Sequence, residues 1–208
     1  TNYTNLNKVN FLKINKNNDI IFLNDKITLS NNLIIPSGYK IYIQENTTID
    51  LLENSCIVSE SPIFSLGSEE KPVTITSSDK TGQGLFIKNC NVKSLFTYTN
   101  FQNLSNISKN GYELTGAVTL YNSNVEIENC NFLQNQRGDD YLNIIKSNFL
   151  ITKTNFLNVF ADAFDSDFSE GKILNSNFIN CGNDAIDFSG SRVKAKNRIM
   201  DKIGDKAI

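Results

Sequence analysis

The chain has no histidine and no tryptophan, and only one methionine, three prolines and three arginines among 208 residues. The missing histidine excludes the most. Without an imidazole there is no Ser-His-Asp or Cys-His relay, no His-ligated zinc and no two-His-one-carboxylate iron centre. Any catalysis near neutral pH must run on carboxylates, Lys, Arg, Tyr or a hard metal. Excess positive charge is missing too: 20 Lys and Arg stand against 22 Asp and Glu, a net charge of −2. No basic field exists to hold a phosphate backbone, so nucleic acid is not an expected partner. No apolar run approaches the ~18 residues of a membrane-spanning helix, so no membrane span is expected. The cysteines, Cys56, Cys90, Cys130 and Cys181, show neither C-x-x-C pairing nor zinc-ligand spacing. They read as small buried residues, with a disulfide left open because connectivity is not legible in sequence.

What remains is 39% hydrophobic and 20% charged, too apolar and too evenly charged for a disordered chain, and of a length for one domain. Asn is in excess, with 32 copies. Coding bias alone would scatter them, whereas a structural demand would place them in register. They are in register. Thr99-Asn100-Phe101, Cys130-Asn131-Phe132, Thr154-Asn155-Phe156 and Ser176-Asn177-Phe178 are followed by Asn197-Arg198-Ile199, with the Phe or Ile anchors 31, 24, 22 and 21 residues apart. Two residues past each anchor comes Asn103, Gln134, Asn158, Asn180 or Asp201, and five before it, in four cases, Phe96, Ile127, Ile151 or Ile173. A period of 20–25 residues is the signature of a solenoid. The segments between anchors, such as Val125-Glu126-Ile127 and Phe149-Leu150-Ile151, are short, β-branched or aromatic, and bounded by Asn, Gly, Ser and Asp. Three short strands and three turns need about 22 residues, so one repeat is one coil of a parallel β-helix. The longer 31-residue interval implies a polar loop near Ser105–Gly111.

With these repeats the chain resembles the right-handed parallel β-helix, or pectate-lyase-like, superfamily. Leu33-Ile34-Ile35-Pro36-Ser37-Gly38, Thr48-Ile49-Asp50-Leu51 and Gly67-Ser68-Glu69-Glu70-Lys71-Pro72-Val73-Thr74-Ile75 are similar to opening coils of β-helix regions in secreted bacterial surface proteins. The resemblance implies an all-β fold, a right-handed winding and a secreted or surface-displayed location. The expected organisation is one domain over 1–208: an N-terminal cap or extension at 1–18, opening coils at 19–79 and regular coils at 80–208. The last coil, at Asp205-Lys206-Ala207-Ile208, is expected to be uncapped, so that further sequence or a neighbouring protein chain covers it, as in a larger protein or assembly.

Coil stacking turns equivalent residues into files about 4.8 Å apart. Phe101, Phe132, Phe156 and Phe178 are expected to form an internal aromatic stack, and Asn100, Asn131, Asn155 and Asn177 an amide ladder. A second register, Asp140, Asp162, Asp184 and Asp205, opens four short strands. Carboxylates in file repel, by roughly a kcal/mol per pair even in water, so they must be solvated, bonded to backbone N–H groups or neutralised by a cation. If Leu142, Phe164 and Ile186 point inward, then Asn143, Asp165 and Asp187 form one outward column, with Tyr121, Ile145, Asp167 and Ser189 beside it. Tyr121, Asn143, Asp165, Asp167 and Asp187 are thus the candidate glycan-binding residues, and Asp165, Asp167 and Asp187 the candidate ligands for Ca²⁺.

Two catalytic patterns of this superfamily fail for want of histidine: polygalacturonase-like hydrolysis, with its Gly-His-Gly, and mannuronan epimerisation. A calcium-assisted polysaccharide lyase, which uses Arg or Lys as base, survives as the alternative, with Lys146 and Lys172 the nearest candidates. None of Arg137, Arg192 and Arg198 falls in register with the acidic columns. The acidic surface disfavours a uronate unless a cation intervenes, and suits a neutral glycan, with Tyr121 or Tyr141 stacking on a sugar ring. The expected function is therefore a structural or carbohydrate-contacting module rather than a catalyst.

Overall fold

The computed structural model describes residues 2, 3, 6, 9–23, 25–109 and 111–208. Strands make up 59% of the chain and helix 1%, arranged as a β-solenoid of about 8 turns whose parallel strands recur roughly 24 residues apart. The mean exceeds the 22-residue step of the last coils because the middle coils are longer: Ile49, Ile75 and Phe101 stand 26 apart, Phe101 and Phe132 31, and Phe132 and Phe156 24.

Each coil contributes one strand to each of three faces. Face 1 runs through Asn32–Ile35, Ile57–Ser59, the first half of Leu85–Thr97, the first half of Gly116–Glu128, then Asp140–Ile145, Asp162–Asp167 and Ile186–Ser189. Face 2 runs through Asp19–Phe22, Lys40–Gln44, Ile63–Leu66, the second halves of the same two long strands, then Asn148–Thr152, Glu170–Leu174 and Arg192–Lys196. Face 3 is a separate eight-stranded sheet from Lys26–Leu29 to Ile199–Ile203. Opposite the parallel stacking stand Leu12–Ile14, which pairs antiparallel with Asp19–Phe22, and a small hairpin, Ser108–Lys109 with Tyr112–Glu113. That hairpin is the loop expected near Ser105–Gly111; its Asn110 lies outside the described residues, as do Thr1, Thr4, Asn5, Asn7 and Lys8 of the expected N-terminal cap.

The aromatic stack is present. Phe101, Phe132, Phe156 and Phe178 pair in register and are wholly buried, with centroids 4.7, 4.6 and 4.8 Å apart and ring planes within 16°. Phe96, Ile127, Ile151 and Ile173 form a second inward file on face 2. The amide ladder beside the rings is continuous: Asn131, Asn155 and Asn177 each donate from Nδ2 to the Oδ1 of the Asn one coil earlier, all at 2.8 Å. One register expectation is corrected. Phe178 pairs with Met200 rather than Ile199, so the spacing stays at 22 and Ile199 falls on the Asn column, where it is exposed.

The corners explain eight more of the Asn. Each regular coil turns three times through a left-handed residue: Asn89, Asn122, Lys146 and Phe168 at the first corner; Tyr98, Asn129, Lys153, Asn175 and Asn197 at the second; Asn103, Gln134, Asn158, Asn180 and Lys202 at the third. Asn tolerates this backbone better than other residues with a Cβ, because its short amide bonds locally. The polar residue two past each anchor is therefore a backbone requirement. In the last coil it is Lys202, one place beyond the expected Asp201. Inside the corners, small polar side chains bond coil to coil: the Ser123, Ser147 and Ser169 amides donate to the hydroxyls of Ser147, Ser169 and Ser191. Cys130 occupies the equivalent place beneath Thr154 and Ser176, its Sγ bonding the Phe96 and Glu128 carbonyls. All four cysteines are free and buried, which closes the disulfide question.

Candidate functional site

Face 1 is acidic because of how its strands begin. Two consecutive residues turn inward at the corner: Ala117-Val118, Tyr141-Leu142, Ala163-Phe164 and Ala185-Ile186, all buried. The residues on either side, three apart in sequence, therefore share the outer surface. Asp140 meets Asn143 in this way, with Nδ2 of Asn143 donating to Oδ2 of Asp140 at 3.0 Å. The repeated phrase Asp162-Ala-Phe-Asp165, Asp184-Ala-Ile-Asp187 is the sequence signal for it. Simple alternation hides the signal, since it treats the two columns as unrelated.

The expected outward columns are in register: Asn143 with Asp165 and Asp187, and Tyr121 with Ile145, Asp167 and Ser189. Asp140 pairs with Asp162. The fourth member of that file is Lys206, whose amide donates to Oδ1 of Asp184 at 2.7 Å; Asp205 instead donates its amide to the Asn183 carbonyl. The expected 21-residue step was one residue short.

Asp140, Asp162, Asp184 and Asn143 are each at least 94% buried. Burial of a carboxylate demands partners, and the backbone supplies several. Oδ1 of Asp162 accepts from the Asp184 amide at 2.8 Å and from Nδ2 of Asn183 at 2.7 Å. Oδ1 of Asp187 accepts from the Phe188 amide at 2.8 Å. Asn143 bridges the lower end, its Nδ2 3.0 Å from Oδ2 of Asp165 as well. Burial pushes the Asp165 carboxyl up to about 8, reinforced by the charges of Asp140, Asp167 and Asp187 and opposed by the Ser166 amide. Burial likewise lifts Asp140 to about 6, against hydrogen bonds from Thr115 and Asn143, and raises Asp162.

Among the described residues, the carboxylates whose oxygens all lie within 4.8 Å of one another are those of Asp162, Asp184 and Asp187. Of the three expected ligands, only Asp187 belongs to this group. Asp165 and Asp167 stand two apart along one strand, about 6–7 Å by strand geometry, whereas the corner folds Asp184 onto Asp187.

The 108–113 hairpin walls one end of the row. Ile107 packs with Cys56, Val58 and Phe86 in a second apolar cluster outside the solenoid, joined by Ile34, Tyr112, Leu114 and Tyr121. Phe86 and Tyr112 meet edge to face at 5.3 Å. Tyr121 is thus a partly buried edge of this cluster, with the Lys146 ammonium 5.5 Å from its ring centre. Tyr141 is withdrawn altogether: it is fully buried, edge-on to Phe132, with its hydroxyl 2.7 Å from the Phe101 carbonyl. It is one of the two inward residues at the corner and cannot stack on a sugar. Lys172 pairs with Leu150 and Lys194 on face 2, away from the row, and Arg192 stands on that face too.

The chain matches no protein-family model and no curated protein sequence. Among the described residues no helix is long and apolar enough to cross a membrane.

Proposed function

We propose that the chain is a secreted or surface-displayed module, structural in the first place, that contacts a neutral glycan or a neighbouring chain through the open end of the acidic row and catalyses nothing. The observation that carries this reading is how the carboxylates are used. Asp162, Asp184 and Asp187 each give one oxygen to a main-chain N–H of their own or the next coil, which is the work of a scaffold. Asp165, Asp167, Asp187 and Ser189 remain accessible along face 1 and supply acceptors for sugar hydroxyls. Of the two candidate lyase bases, Lys172 stands on face 2, whereas Lys146 stands at the corner beside Tyr121, 5.5 Å from its ring centre, so cleavage is the outcome that separates the lyase from the module.

A glycan-array screen with and without Ca²⁺, followed by ultraviolet detection of unsaturated sugar ends, tests the reading. Binding of neutral glycans without new absorbance supports it. Cleavage with new absorbance replaces it with the lyase, and the absence of any glycan binding leaves the structural role alone.

A further inference from the structure

Face 2 carries the opposite sign of charge from face 1 in the same coils. Lys172 and Lys194 stand directly opposite one another, with Arg192 and Lys196 two residues to either side of Lys194. All four are exposed, and none forms an ion pair with a described residue. Glu170, opposite Arg192, is the acid beside them. Like charges set directly across two strands destabilise a sheet, so a partner of opposite sign relieves this basic file. Toward the other end of the solenoid the same column becomes apolar: Tyr42, Phe64 and Leu95 are in register and half-buried. The rings of Tyr42 and Phe64 stack at 5.1 Å, and Leu66 beside them is 39% exposed.

Face 1 presents the complementary order along the same axis. First comes the hairpin cluster on Val58 and Phe86, with Tyr112, Leu114 and Tyr121 half-buried at its edge. Then come Asp165 and Asp167, and after them Asp187. The heights coincide too. Asp162–Asp167 and Glu170–Leu174 are successive strands of one coil, which sets Asp165 and Asp167 level with Lys172. Asp187 likewise shares a coil with Arg192, Lys194 and Lys196, and Phe86 shares one with Leu95.

We infer that face 2 docks on face 1 of a second copy of this chain, side by side, with the two solenoid axes parallel and the coils level. Lys172 then meets Asp165 and Asp167, Lys194 meets Asp187, and Phe64 and Leu95 meet the hairpin cluster. An antiparallel arrangement sets the lysines against the apolar cluster instead. A soluble polyanion accounts for the basic file but not for the apolar residues that continue it. Because the contact joins two different faces, each copy keeps one of each kind free, and association continues past the dimer. The contact is one face wide and weak, and its ionic part is screened by salt. The inference rests on the reading of face 1 as a contact surface and names what that surface contacts.

Sedimentation velocity at pH 8 tests it. At about 0.2 mM chain and about 10 mM NaCl, the weight-average mass should exceed that of the monomer at least about 1.5-fold, and fall back to it in about 0.5 M NaCl. Lys172→Glu/Lys194→Glu and Asp167→Lys/Asp187→Lys should each stay monomeric alone, since acid then meets acid, or base meets base. Mixed in equal amounts they should associate again, because the altered face of each complements that of the other. Far-UV circular dichroism verifies folding, and Asp167→Lys alone replaces the double acidic variant if that variant does not fold. A monomeric wild type, association that survives in either variant, or a mixture that stays monomeric overturns the pairing. The glycan array, read on Lys172→Glu/Lys194→Glu with face 1 intact, decides the role of face 1 separately.

Discussion

Phe156 is the most informative single residue to remove. It is wholly buried and holds two parallel ring contacts, to Phe132 at 4.6 Å and Phe178 at 4.8 Å. Phe156→Ala deletes the transfer free energy of the ring and leaves a cavity between coils that cannot collapse, because each coil is pinned by backbone bonds above and below. Such substitutions cost about 3–5 kcal/mol. For a chain of this length each kcal/mol lowers the melting temperature by about 2–4 °C, so a fall of about 6–20 °C is expected. Phe156→Leu keeps most of the volume and loses the stacking geometry, which puts its cost near 1–2 kcal/mol. Phe160→Ala is the control, since Phe160 is 61% exposed and its loss should stay within about 0.5 kcal/mol. Thermal melts followed by far-UV circular dichroism measure all three. A Phe156→Ala shift under about 3 °C, or one no larger than that of Phe160→Ala, would mean that the rings do not bear on one another as described.

Three further outcomes follow from the same geometry. Burial holds the Asp165 and Asp140 carboxyls up at about 8 and about 6 in the folded state, above the ordinary 3.8. The native state then holds more protons than the unfolded chain between those values, so stability falls as pH rises through that window. The melting temperature should be higher near pH 5 than near pH 8.5, and a flat or rising profile refutes the burial argument. Gly84→Ala should cost at least about 2 kcal/mol in denaturant unfolding, because Gly84 has φ +66° and a Cβ there would lie 1.9 Å from the Ala117 carbonyl oxygen. The native protein should resist thiol reagents at pH 8, since burial pushes the Cys130 and Cys181 thiols up to about 12 and Cys56 to about 11. All four thiols should react once it is unfolded, and rapid labelling of the folded protein would contradict the packing.

Much of the fold was legible because a solenoid repeats its constraints. An inward Phe every 22 residues leaves a mark on the sequence that a single buried Phe in an irregular fold does not, and the Asn beside it marks the ladder. The last coil departs by one residue from the expected spacing, at Ile199 and again at Asp205. There the repeat phrase decays to Asn197-Arg198-Ile199, with no Phe to mark the inward place, and the backbone pairs Phe178 with Met200 instead.

The acidic columns were legible in the same way, but their meeting was not. Alternation assigns each residue a side from its neighbour, and it fails where a corner turns two residues inward in succession, as at Ala163-Phe164 and Ala185-Ile186. The parallel coil, its period, the aromatic file and the absence of any histidine chemistry depend on residue type at a fixed spacing and can be read from the chain alone. That Asn143 bridges Asp140 and Asp165, that Tyr141 is inside and that the hairpin cluster takes in Tyr121 emerges only in three dimensions. Those facts depend on where the chain bends in space, and a bend is set by packing across coils rather than by the residues that flank it.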